Sequence, residues 1–169
     1  NILKKRKLKI PMENIIFARD CSRKDIWRSK LFQDYKIQRD EHYKSNQWKG
    51  GPVFKHVFDT LLPKLQSIHN FHIVQYPHLE ADDIIACYTK HIQTTQPNRL
   101  IYIITSDHDY LQLINHHTTI FNMKNKTLND KSCGNPKHDL LIKIICGDGS
   151  DNINGCFPRC GYKTALKYI

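Results

Sequence analysis

An α/β fold built on a parallel sheet is predicted by two observations. Short, continuous apolar runs alternate with segments of helical periodicity. Acidic residues gather where those apolar runs end. Ligands of open parallel sheets collect beyond the carboxyl ends of the strands, so the second observation places a site at that edge of the first.

The elements follow in chain order. Residues 14–18, Asn-Ile-Ile-Phe-Ala, are too few for a helix and end at charge, which predicts a buried strand with Asp20 just past its end. Residues 27–49 are dense in Lys, Arg, Tyr and Gln without apolar periodicity, which predicts an exposed, mobile segment closed by Gly50-Gly51-Pro52. Beyond it, Phe54, Val57, Phe58, Leu61, Leu65 and Ile68 keep helical spacing, and Pro63 is expected to kink or divide that helix. A second strand is expected at 71–76. Over 80–93, Ala81, Ile84, Ile85, Tyr88 and Ile92 fall on one helical face, with acids in the first turn, where the helix dipole tolerates them. The unbroken apolar run 100–104 predicts a central parallel strand covered on both faces, followed at once by Ser106-Asp107-His108-Asp109. A further strand is expected at 118–123, a largely buried helix at 139–146 and a turn at 147–151.

A chain of 169 residues can bury the core of one ordinary domain. Its formal charge of +10 is spread along the sequence, which favours a polyanion such as nucleic acid as partner. No apolar run approaches the roughly 20 residues of a membrane span, and no secretory signal is evident, so a soluble, intracellular monomer is expected. None of the six cysteines, Cys21, Cys87, Cys133, Cys146, Cys156 and Cys160, forms a CxxC pair. Free, mostly buried thiols are therefore expected over a zinc site. The run Lys4-Lys5-Arg6-Lys7 reads as solvated charge, and the histidines are given no chemical task, His108 between Asp107 and Asp109 being a weak exception.

Eight of the sixteen carboxylates fall in four clusters: Asp20; Glu80, Asp82 and Asp83; Asp107 and Asp109; Asp148 and Asp151. Grouping scarce acids in a basic chain costs stability unless a multivalent cation or a catalytic task needs them together. For an isolated pair such as Asp107 and Asp109, helix capping by Ser106 or Asp107 and metal ligation stand level. The neighbouring clusters tip the balance toward two hydrated ions, Mg²⁺ or Mn²⁺, and toward metal-assisted attack on a phosphodiester. Tyr35-Lys36-Ile37-Gln38-Arg39 then supplies cations beside an aromatic for the scissile phosphate, against its plain reading as a solvated basic helix.

Taken in order, these motifs resemble the structure-specific 5′ nuclease family: flap endonucleases, phage 5′ to 3′ exonucleases and the 5′ nuclease domain of DNA polymerase I. The landmarks are Asp20 with Arg28, then Tyr35 to Arg39, Glu80-Ala81-Asp82-Asp83, Ser106 to Leu113, and Gly147-Asp148-Gly149-Ser150-Asp151-Asn152-Ile153. The resemblance implies a PIN-like parallel sheet over residues 1–146, a helical arch, and Mg²⁺- or Mn²⁺-dependent cleavage of DNA bearing a 5′ flap, branch or free 5′ end. It implies that Glu80, Asp82 and Asp20 serve one metal centre and Asp107, Asp109, Asp148 and Asp151 the other, with Asp83 a neighbour. It implies that Lys36 and Arg39 engage the scissile phosphate, and that Arg28 and Tyr35 contact DNA.

Residues 147–169 look like the start of the family's helix-hairpin-helix. There Arg159, Gly161, Lys163 and Thr164 would hold duplex phosphates, with a K⁺ ion as the family's companion. The chain departs from the pattern at Pro158-Arg159-Cys160, which replaces the glycine-containing hairpin. It departs again before Asn14, where the family's opening strand with another metal-binding Asp has no counterpart. The expectation is a fragment, a chain whose amino-terminal part is supplied separately, or a relative that binds branched DNA without cutting it. A PIN-like ribonuclease and a small-molecule phosphatase using Asp107 and Asp109 are the other readings; the extra acid clusters argue against the last.

Overall fold

The structure, a computed structural model, describes residues 4, 6–39 and 50–169. Residues 40–49 of the segment 27–49 expected to be compatible with the arch, and Lys5 of the basic run, lie outside the described residues. The chain divides into two compact units, one comprising residues 6–84 and 150–152, the other 1–5, 85–149 and 153–169.

In the first unit, strand β1 (Ile16–Ala18) pairs in parallel with β2 (His72–Val74), Ile16 opposite His72 and Ala18 opposite Val74. The connection runs through helix α1 (Trp27–Leu31) and then through α2 (Gly51–His56), a π-turn (Val57–Leu61) and α3 (Leu62–Gln66). Pro63 lacks an N–H and its ring crowds the carbonyl four residues back. Just ahead of Pro63 a wide π-turn divides the stretch into two α-helices, in keeping with the expected kink or division, while the backbone stays helical throughout. Phe17 meets Phe71 edge to face at 5.0 Å, and Cys21, Ile26 and Tyr35 form a small buried cluster. That cluster corrects the expectation that 27–49 is exposed throughout, because Tyr35 and Lys36 are buried.

Helix α4 (Ala81–Thr95) gives its first residues to that unit and the rest to the second. There β3 (Ile101–Ile104) pairs in parallel with β4 (Thr118–Phe121), in register from Ile101 opposite Thr118 to Ile104 opposite Phe121. Ile103, Leu111, Leu113, Ile120 and Leu128 make the core, with Ile85 and Ala86 of α4 packed against it. Asn129 extends the sheet edge with its side chain, accepting from Ile120 N–H and donating to the Thr118 carbonyl. Leu100 and Ile104 are exposed, which corrects the expectation of a strand covered on both faces: apolar content measures a capacity for burial and does not specify what covers it.

Helix α5 (Pro136–Cys146) starts at Asn135, whose side chain accepts from Lys137 N–H, and has Pro at its first position. It begins three residues earlier than expected and is not largely buried: Asp139 and Ile142 are inside, while Leu140, Leu141 and Ile144 are exposed. Its end is set by Gly147 at φ 76°, from which β5 (Gly147–Asp148) pairs antiparallel with β6 (Ile153–Asn154), a short hairpin where a plain turn was expected. A four-residue helix, α6 (Tyr162–Ala165), follows. Of the six free cysteines only Cys21 is buried, so the expectation of mostly buried thiols does not hold. No helix among the described residues is long and apolar enough to cross a membrane.

Candidate metal centre

The first acid group sits where α4 begins. Asp20, two residues past β1, accepts the Ala81 N–H at 2.7 Å; Asp83 accepts the Glu80 N–H at 3.0 Å, and Asp82 accepts the Asp83 N–H at 2.7 Å. These bonds satisfy otherwise orphaned amides of the first helical turn and fix the acids in place. One oxygen from each of Glu80, Asp82 and Asp83 then lies within 4.8 Å of the others. Capping uses one oxygen of Asp20 and leaves the second, so the two readings of an acid at a helix start do not exclude each other.

Glu80 is 5% exposed, and a buried carboxylate needs partners. It has three: Lys36 Nζ at 2.7 Å on Oε1, and the Tyr35 hydroxyl at 2.8 Å and Arg28 Nη1 at 3.0 Å on Oε2. Arg28 also forks onto Asp83 at 2.7 and 2.8 Å, and the Trp27 indole donates to Asp83 at 3.2 Å. Burial alone would push the Asp83 carboxyl up, but Arg28 and the Glu80 N–H hold it below the usual aspartate range. Asp82 has no ion pair among the described residues; burial, and then the charge of Glu80, raise its carboxyl above that range. Burial and the bond to Glu80 likewise push the Tyr35 phenol up.

Asp151 belongs to the same unit and faces the same cations, Arg39 Nη2 at 3.2 Å and Lys36 Nζ at 3.7 Å. Its carbonyl accepts the Lys36 N–H at 3.1 Å. Lys36 is thus 7% exposed, in the left-handed region at φ 56°, and pinned by acids from two stretches of chain.

The second acid group lies in the other unit. Asp107 caps the 3-10 turn His108–Leu113 by accepting the Asp109 N–H at 2.9 Å, as the capping reading anticipated. Asp109 and Asp148 share one cation: Lys143, from the last turn of α5, is ion-paired with Asp109 Oδ1 and lies 2.7 Å from Asp148 Oδ2. Arg159, Gly161, Lys163 and Thr164 are exposed in and after the loop leading to α6, Arg159 at φ 58°.

Several expected residues therefore stand in other roles than supposed. Tyr35 offers no free ring face to DNA, because it is buried and its hydroxyl holds Glu80; Arg28 is engaged with Glu80 and Asp83. Trp27 and Lys143 were not anticipated at all. The donor set is all oxygen, converging from a helix start where backbone amides fix its geometry, and it fits hydrated Mg²⁺ or Mn²⁺ better than a soft ion.

Comparison with known proteins agrees in sequence and in fold. Residues 1–135 match the model of the 5′-3′ exonuclease, N-terminal resolvase-like domain. The chain belongs to this 5′ nuclease family. It is 32% identical to the 5′-3′ exonuclease of Buchnera aphidicola subsp. Acyrthosiphon pisum over 100% of this chain and 56% of the relative. DNA polymerase I of Lactococcus lactis subsp. cremoris matches at 26% identity over 95% of this chain and 18% of that protein. The chain spans about half the length of the Buchnera exonucleases it matches, 56% and 53% in two cases. The T5 D15 protein crystallised with metal ions superimposes with a TM-score of 0.76 at 21% identity, over 99% of this chain and 63% of that one. The T5 5′-exonuclease with bound zinc gives 0.74 at 20%, over 99% and 62%. The fold of this chain is accordingly mixed α/β, with parallel strands and flanking helices, like that of the T5 D15 protein.

Proposed function

We propose that the chain carries the catalytic region of a divalent-metal-dependent 5′-3′ exonuclease and flap endonuclease acting on DNA with a 5′ flap, branch or free 5′ end. The observation that carries this reading is the convergence of Glu80, Asp82 and Asp83 at the start of α4, within 4.8 Å and beside buried Lys36. Glu80, Asp82 and Asp20 would hold one ion, and Asp107, Asp109 and Asp148 a second. Mg²⁺ or Mn²⁺ bound there supplies an activated water and charge on the leaving oxygen.

The chain's own residues do the rest. Arg28 and Tyr35 both donate to Glu80 Oε2 and so fix the orientation of its carboxylate. Lys36 and Arg39 turn from acid to phosphate, an exchange that each side chain's length permits, and orient the scissile group for in-line attack. A PIN-like sheet, a helical arch and a helix-hairpin-helix beginning at 147 complete the reading. Arg159, Gly161, Lys163 and Thr164 then contact duplex phosphates, K⁺ being the ion that goes with such a hairpin. One T5 flap endonuclease of this fold was solved with DNA and metal ions, which supports DNA over RNA as the polymer.

The test is cleavage and retention of a 5′-labelled flap DNA, with Mg²⁺ and with EDTA, by the wild type and Asp107→Asn. Outer partners of metal ligands cost about 10–100-fold when removed, so loss of a ligand itself should exceed that while DNA retention stays near wild type. Equal cleavage by the variant would remove Asp107 from the site. Retention by the wild type without metal-dependent cleavage would make the chain a branched-DNA-binding module.

A further inference from the structure

We infer that Lys143 is a built-in counter-ion for Asp109 and Asp148, two residues that would hold a divalent ion, so that metal loading proceeds by exchange of its ammonium. The inference rests on the two-metal reading above and adds to it a residue that sets metal affinity. Its basis is a single point in space. Oδ1 of Asp109 and Oδ2 of Asp148 converge on Lys143 Nζ, the latter at 2.7 Å. A divalent ion held by Asp109 and Asp148 would need the oxygens that the ammonium now engages. Both cations cannot engage them together.

Which member moves is decided by the local backbone. The Asp109 backbone N–H is fixed by the Asp107 side chain, and Asp148 is the more buried of the two acids, in the short hairpin that opens at Gly147. Lys143 reaches the acids from α5 on a flexible four-carbon stem and is one-third exposed, so its ammonium can swing into water while the carboxylates stay. In the metal-free state the lysine relieves repulsion between acids gathered for another cation. It also lowers the apparent metal affinity by the fraction of time the seat is taken.

Mn²⁺ binding to the whole chain, followed by electron paramagnetic resonance, is compared for the wild type, Lys143→Met and Asp109→Asn. In parallel, acetylation of Lys143 in the wild type is quantified by mass spectrometry with and without Mg²⁺. The expected results are one Mn²⁺ bound about tenfold or more tightly in Lys143→Met and a Lys143 amine that becomes more reactive as Mg²⁺ saturates. A lysine of merely structural value would leave Mn²⁺ binding unchanged or weaken it. That result in folded Lys143→Met, or acetylation indifferent to saturating Mg²⁺, overturns the inference. If Lys143→Met does not fold, the acetylation arm on the wild type decides alone. The two readings fail separately: wild-type Mn²⁺ stoichiometry in Asp109→Asn removes the metal centre at that residue, and the exchange with it. Loss of one ion in Asp109→Asn with unaltered binding in Lys143→Met removes only the exchange.

Discussion

Lys36 is a cation where burial should exclude one. Its ammonium is compensated by Glu80 at 2.7 Å, by Asp151 at 3.7 Å and by the Tyr35 ring 4.7 Å away. Removing one partner of a buried pair leaves the other charged and unpaired, so Lys36→Met should destabilise the chain by about 3 kcal/mol. Urea unfolding measures it. Millimolar Mg²⁺ should recover part of the loss in the variant, because an ion that binds only the folded state supplies Glu80 with the charge it lost. A variant as stable as wild type, or one indifferent to Mg²⁺, would argue that Glu80 is not a ligand. At this scale the sequence showed the acids and Lys36 with Arg39, because family motifs keep them in order. It did not show that Lys36 is buried, since its partners lie 44 and 115 residues away and its own segment has no apolar period. Lys143 went unnoticed for a related reason: a single lysine within Leu140 to Cys146 looks like the solvated edge of a helix. The available signal was its position one turn before the Gly147-Asp148 corner.

Among elements, the hairpin β5–β6 places Asp148, and it depends on a backbone that one residue type allows. Gly147 has φ 76°, and a Cβ added there would meet Gly155 N at 2.3 Å and the Ile153 carbonyl oxygen at 2.6 Å. Gly149, two residues on, has open space around its Cβ position and no left-handed φ. Gly147→Ala should therefore cost about 3 kcal/mol or more, and Gly149→Ala no more than about 0.5. Chemical denaturation of the pair checks it, and equal effects would mean that the hairpin is not held by that close approach. The elements themselves were largely legible. Five or so residues of period-less apolar sequence gave β1, β2, β3 and β4, each trimmed by one to three residues, and the apolar face of α4 gave that helix. What escaped was pairing geometry and cover. Nothing local distinguishes the π-turn before Pro63 from a kink, or tells that Leu140, Leu141 and Ile144 face outward.

For the molecule as a whole, charge is the property that survives any detail of the site. Twenty-six Lys and Arg face sixteen acids, and half of those acids fall in the four acid clusters, so the rest of the chain is more basic than the net +10 conveys. Such a surface gains affinity for DNA by releasing counterions, and the gain is read in salt rather than in a single dissociation constant. In EDTA, where no ion bridges protein and phosphate, a labelled flap DNA titrated by fluorescence anisotropy should lose about 10³-fold in affinity or more between 50 and 200 mM salt if six or more phosphates are neutralised. Lys163→Ala should reduce the log–log slope by about 1 and weaken every sequence alike, since a phosphate contact carries no base information. A slope shallower than about −2 would mean that only two phosphates or so are engaged. The basic surface would then serve solubility, and the nuclease reading would have to stand on the acid clusters alone.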